Sequence, residues 1–132
     1  MFKFKVVTPE GVKYEEDVQY VEFKTKEGSM GTLTQRLPIV TSLRIAPVSI
    51  KKVDNSVQSF AIHGGILEMT GEEMTIVTTA AEKSEDIDIE AARNAMESAQ
   101  EEIKETEDKF KKIKLQTRIE KNLLRVNMSK RK

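Results

Sequence analysis

Every glycine and every proline of this 132-residue chain lies at or before Gly71, and the rest of the chain contains neither. Glycine reaches backbone angles closed to other residues and proline removes an amide donor, so the two punctuate chains into short, frequently turning elements. The front of the molecule must therefore turn often, whereas the rear is free to run as uninterrupted helix.

The front carries the period of strands. Phe2, Phe4 and Val6 alternate with Lys3 and Lys5, which places one face of a strand in a core and the other in water. Thr8-Pro9-Glu10-Gly11 suits a type I turn into a second strand at 12–14. Further strands are expected at 18–24, 31–33, 43–45, 48–52, 57–62, 66–69 and 74–78, with turns at Lys26-Glu27-Gly28-Ser29, Asp54-Asn55-Ser56 and Gly71-Glu72. Eight or more short strands close most naturally into two packed sheets, a mainly β domain over 1–84.

After Ser84 the residues are chiefly Ala, Glu, Lys, Gln, Met and Leu, all strong helix formers. Asp86 and Asp88 suit a helix start. Ala92, Ala95, Met96, Ala99 and Ile103 then form a stripe of mostly small residues, and a second stripe runs through Phe110, Ile113, Leu115, Ile119, Leu123 and Val126. No breaker separates the stripes, so one continuous helix and a hairpin bent near 105–108 both fit. Charge favours the hairpin: 86–108 holds nine acids against Arg93 and Lys104, and 109–132 holds ten basic residues against Glu120. Antiparallel helices of opposite sign attract weakly, which predicts a marginally folded tail over 85–132.

Composition excludes several chemistries. Twenty-two basic and 22 acidic residues give no net charge, so the global basic field of a non-specific nucleic-acid binder is absent. The basic segment 109–132 has one aromatic, Phe110, and resembles an amphipathic partner-binding helix more than a base-stacking surface. There is no Cys, so disulfides and thiolate ligands are excluded, and a reducing compartment is compatible. The start does not read as a secretory signal, and Glu68, Glu72 and Glu73 interrupt the most apolar stretch, so membrane association is expected only through partners. His63, the single His, reads as the end of a strand rather than a catalytic base. The acids from Glu101 to Asp108 read as a solvated helix face, and no phosphate-binding loop is present. Neither metal, cofactor nor catalysis by this chain is expected.

Val6-Val7-Thr8-Pro9-Glu10-Gly11 with Tyr14, Glu27-Gly28-Ser29-Met30-Gly31 with Leu33 and Pro38, Ala61-Ile62-His63-Gly64-Gly65-Ile66-Leu67-Glu68-Met69, and Ala80-Ala81-Glu82 followed by Glu85-Asp86-Ile87-Asp88 occur in this order. Together they resemble the epsilon subunits of bacterial rotary ATP synthases across essentially the whole chain. The resemblance implies a flattened β-sandwich followed by an antiparallel two-helix hairpin, peripheral at the cytoplasmic face of a bacterial inner membrane. By resemblance the sandwich binds the gamma subunit and the membrane c ring, the latter through the loop holding Gly28, Ser29, Met30, Gly31, Gln35 and Arg36. It further implies a tail able to extend into the catalytic alpha/beta head and impede ATP hydrolysis. Arg118, Lys121 and Arg125, spaced to share one helical face, are the candidates for meeting acids there. The family's rotor-facing Pro-Gly-His-Ala-Pro is replaced by Thr34-Gln35-Arg36-Leu37-Pro38. ATP as a regulatory ligand would rest on Ile87, Asp88 and Arg93, although Arg93 stands two places beyond the family position, about 200° around a helix. A free-standing adaptor, with a sandwich for one partner and a basic helix for another, is the alternative reading.

Overall fold

The alternation at the N-terminus becomes strand β1, Phe2–Thr8, with Phe2, Phe4, Val6 and Thr8 buried and the lysines turned outward. The computed structural model describes residues 1–25, 28–32 and 38–128. It divides the chain into two compact units, Met1–Lys83 and Ser84–Lys132. Six further strands complete the first unit: β2 (Gly11–Thr25), β3 (Gly28–Thr32), β4 (Ile39–Lys52), β5 (Val57–Thr70), β6 (Glu73–Val77) and β7 (Ala81–Lys83). The second unit holds a short 3-10 turn at Ser84–Asp86 and two helices, α1 (Ile89–Glu105) and α2 (Lys109–Met128).

The strands are fewer and longer than the turn signals suggested. The expected segments at 12–14 and 18–24 fuse into β2, those at 43–45 and 48–52 into β4, and those at 57–62 and 66–69 into β5. Pro47 sits inside β4 because β2 pairs with that strand only from Ser49 to Lys52, leaving the proline beside an unpaired edge. Gly64 and Gly65 lie within β5 at φ of 80° and 130° and bend the strand without ending it.

Strand order is β3-β2-β4-β5-β6-β1, and β1 also pairs with β2, so the sheet closes on itself into a flattened, barrel-like sandwich. Among the described residues only β1 and β6 run parallel. The core gathers Phe4, Val6, Val18, Val21, Ile50, Ile62, Leu67, Met69, Met74 and Ile76, all at or below 1% exposure. The aromatic rings of Phe4, Tyr14 and Phe60 add edge contacts, with Tyr14 and Phe60 centroids 4.9 Å apart. At Gln19 a bulge shifts the β2–β4 register, and the side-chain amide donates to the carbonyls of Lys52 (2.9 Å) and Val53 (3.1 Å), tying β2 to the β4–β5 turn.

The tail is a hairpin, as its charge division favoured. Asp88 caps α1 by accepting from the Ala91 amide at 3.0 Å. Asp108 starts α2 in the same way, accepting from the amides of Phe110 (2.9 Å) and Lys111 (3.3 Å). Only Thr106, Glu107 and Asp108 separate the helices, which pack against each other. Ala92 and Ala99, two turns apart on α1, are buried as the small-residue stripe required. On α2 the expected stripe is corrected. Phe110, Ile113 and Leu123 are exposed, while Leu115, Asn122, Leu124 and Met128 are the buried residues.

The bend in β5 has a steric cause that can be measured. A Cβ on Gly65 would overlap the Val77 carbonyl and stand 3.0 Å from Thr78 Cα, whereas one on Gly64 would meet nothing nearer than 3.8 Å. Gly65→Ala is therefore expected to lower unfolding free energy by about 2–3 kcal/mol, and Gly64→Ala by about 1 kcal/mol, the cost of its left-handed backbone alone. Urea titration of both variants checks this; equal losses would contradict the steric account.

Candidate partner-binding surfaces

Strand register places an apolar row on the outer face of the sandwich. Val12 pairs with Val7, Val7 with Val77, and Val77 with Ile66. Val12, Val77 and Ile66 are each more than half exposed, Val7 is half-buried, and Ile66 pairs on its other side with Ser42, where the apolar row ends. Directly paired side chains lie within about 5.5 Å of one another, so the row is continuous rather than a scatter of single exposed residues. The next outward row changes character: Lys5 pairs with Thr75, Thr75 with Glu68, and Glu68 with Val40, an exposed valine at its end. Lys5 also meets Glu73 at 3.6 Å and Lys3 meets Glu15 at 3.5 Å. An apolar band with a charged margin has the anatomy of a protein-docking surface. Period-two reading missed it, because these valines are individually ordinary strand residues and only the register aligns them.

The predicted ring-facing loop is reached in part. Gly28 opens β3 at φ 121°, a backbone angle that favours glycine, and the Thr25 hydroxyl donates to its carbonyl at 3.3 Å. Ser29, Met30 and Gly31 pair along β3 with Lys24, Phe23 and Glu22. A Cβ on Gly31 would overlap the Tyr20 ring, so a larger residue there would have to displace that side chain. Among the described residues β3 pairs with β2 alone and forms an open edge. Gln35 and Arg36 lie outside the described residues.

In the tail, Arg118 is exposed and Lys121 and Arg125 are half-buried. Asn122, which the sequence reading passed over, organises them. It is 4% exposed, donates to the Arg118 carbonyl at 2.9 Å and accepts from Arg125 Nη1 at 3.0 Å. Arg118 and Lys121 form no ion pair among the described residues, so the opposite charges of the two helices act there as a diffuse field. Of the ATP candidates, Asp88 is engaged as the α1 cap, Ile87 is half-buried before it, and Arg93 is exposed. Arg93 stands five positions after Asp88, about 140° around a helix, so they do not share a face.

His63 lies within β5, and its imidazole is fully buried with Nε2 2.8 Å from Glu82 Oε1 on β7. Lys83, the next residue of β7, holds its ammonium 5.8 Å from the Tyr14 ring centre. Burial, with Glu16 accepting from the phenol, raises the Tyr14 hydroxyl far above the usual range and keeps it protonated. Among the described residues no three acids or histidines converge as metal ligands, and no helix is long and apolar enough to cross a membrane.

Comparison with known proteins adds an independent line. Residues 1–84 match the family model described as the ATP synthase delta/epsilon chain, beta-sandwich domain. The ATP synthase epsilon chain of Halalkalibacterium halodurans is 39% identical over 124 residues, covering 92% of each chain. A chain in the Euglena gracilis mitochondrial ATP synthase OSCP/F1/c-ring assembly superposes with a TM-score of 0.82 at 21% identity, over 93% of this chain and 78% of that one. A chain of the Tetrahymena thermophila mitochondrial ATP synthase central stalk and c-ring gives 0.54 at 18% identity, over 64% and 67%. The matched sandwich, and the epsilon-chain identity carried through the helices, establish that this chain belongs to the epsilon family of ATP synthase subunits.

Proposed function

We propose that the chain is a non-catalytic central-stalk subunit of a bacterial F-type ATP synthase, peripheral at the cytoplasmic face of the cell membrane. Its sandwich docks on the gamma subunit and the c ring, and its helical tail restrains ATP hydrolysis in the alpha/beta head. The observation that carries this reading is the apolar row of Val12, Val7, Val77 and Ile66 on a closed sheet. A rotor part needs a stiff body and a lasting contact, and lasting interfaces are the more apolar ones. The F1, c-ring and central-stalk assemblies that hold its structural neighbours support the same partners.

We assign the row to gamma. Ile66→Asp combined with Val77→Asp is expected to weaken gamma binding at least about tenfold, because a desolvated apolar contact becomes two buried charges. Both positions are about half exposed, so the urea midpoint should hold. Unchanged binding in a calorimetric titration would take the row out of the interface.

The turn at Gly28 and the β3 edge are assigned to the ring. Met30→Ala with Arg36→Ala should reduce ion pumping per ATP hydrolysed in inverted vesicles; intact pumping and assembly would show this placement to be wrong.

The braking role is assigned to the basic face of α2. Arg118→Ala, Lys121→Ala and Arg125→Ala together should raise hydrolysis by the assembled complex roughly fivefold, the low end of ordinary coupling between sites. Deletion of residues 86–132 should raise it at least as much. Equal rates for intact, substituted and truncated complexes would leave the helices without a regulatory role.

A further inference from the structure

The chain leaves the sandwich through β7, a strand of only three residues, and the structure shows what keeps so short a strand in place. Phe60, Ala61 and Ile62 of β5 pair with Lys83, Glu82 and Ala81. Just before β7, the His63 amide donates to the Ala80 carbonyl at 3.1 Å. Three residues of antiparallel ladder at the end of a sheet are readily frayed, and side-chain contacts decide whether they stay. Ala81 reaches the core only as a partly buried methyl group, and Lys83 contributes a single ring contact. The contact between Glu82 and His63 is of a different order. The His63 side chain is fully buried, and its Nε2 meets the Glu82 carboxylate at 2.8 Å.

The other imidazole nitrogen completes the argument. Nδ1 is buried and has no hydrogen-bond partner among the described residues. A carboxylate oxygen can only accept, so Nε2 is the donor in the contact with Glu82. Among the described residues Glu82 is the one hydrogen-bond partner of this imidazole, and lifting β7 away would remove it from a buried ring within β5. Residue Ser84, the next after β7, begins the second unit.

We propose that His63 and Glu82 form a clasp that locks β7 onto β5 and so sets how readily the root of the tail detaches from the sheet. The clasp deepens the reading of a movable tail, supplying a fixed point from which the helices would swing. His63 acts here as a positioning residue.

Trypsin reports β7 directly, because the bond after Lys83 lies at its end and a protease needs several residues peeled from the sheet. Cleavage then follows the population of the open form. With the full chain at fixed trypsin, and the Lys83–Ser84 bond followed by mass spectrometry, Glu82→Ala should speed cleavage about tenfold, the effect of losing a charge-assisted hydrogen bond. Glu82→Gln, which keeps a neutral acceptor, should fall between Glu82→Ala and the parent. Glu82 is on a half-exposed site, so the urea midpoint should stay near that of the parent and separate local opening from global unfolding. His63→Ala with Glu82→Ala should cleave no faster than His63→Ala alone. Parental cleavage rates in Glu82→Ala, or single effects that multiply in the double variant, would overturn the clasp. A failure of the braking role appears only in hydrolysis by the assembled complex and leaves these rates untouched.

Discussion

One bend in one strand governs the sandwich. β5 lies against β4 along nearly its whole length, but its other edge serves β7 from Phe60 to Ile62 and β6 from Ile66 to Thr70. The handover takes place at His63, Gly64 and Gly65, and the close approach of the Val77 carbonyl leaves no room for a Cβ at Gly65. Two features of functional interest follow from this bend. Beyond it, Ile66 is set outward beside Val77, extending the apolar row, while Leu67 and Met69 are set inward. At it, a buried imidazole is left that must find a partner, and finds it on the strand leading out of the sheet.

The legible parts of the fold were those encoded by neighbours in sequence. The two-residue period from Phe2 to Val6 and the helical stripe of Ala92, Ala95, Met96 and Ala99 need only local repetition, and both appear as elements of the expected kind. The break between the helices is also local. It is made by Thr106 and Asp108 side chains accepting backbone amides, with no glycine or proline, so charge rather than a breaker residue gave it away. Breaker residues misled within the strands: Pro47 stands beside an unpaired edge and Gly64-Gly65 form a bend, and neither divides its strand.

The candidate surfaces were harder to read because they depend on register. Val12 and Val77 are far apart in sequence and become next-but-one neighbours only through β1, whose pairings on both edges centre on Val7. β7 was invisible for a related reason: Ala81-Glu82-Lys83 has no strand signal of its own and is held by partners on β5. In the tail, Asn122 is buried, donates to the Arg118 main-chain carbonyl and holds the Arg125 guanidinium. One side chain of the basic face proposed to act on the catalytic head, that of Arg125, is therefore pre-ordered, which lowers the entropy lost when it binds.

The proposed function divides the labour between a closed sheet and a helical appendage. The sheet leaves few exposed edges among the described strands, and a hairpin whose buried α1 residues are Ala92 and Ala99 is proposed to be held loosely enough for modest differences in partner contact to redistribute it. The central claim is that the chain works as a built-in part of an ATP synthase rather than as an independent adaptor. The most direct measurement is affinity isolation of the tagged chain from gently solubilised membranes, with subunit composition and ATP hydrolysis determined together. The account predicts recovery with gamma, the c ring and the alpha/beta head in fixed stoichiometry, together with ATP-hydrolysing activity. Recovery of the chain alone, or with partners that lack those subunits and that activity, would contradict it.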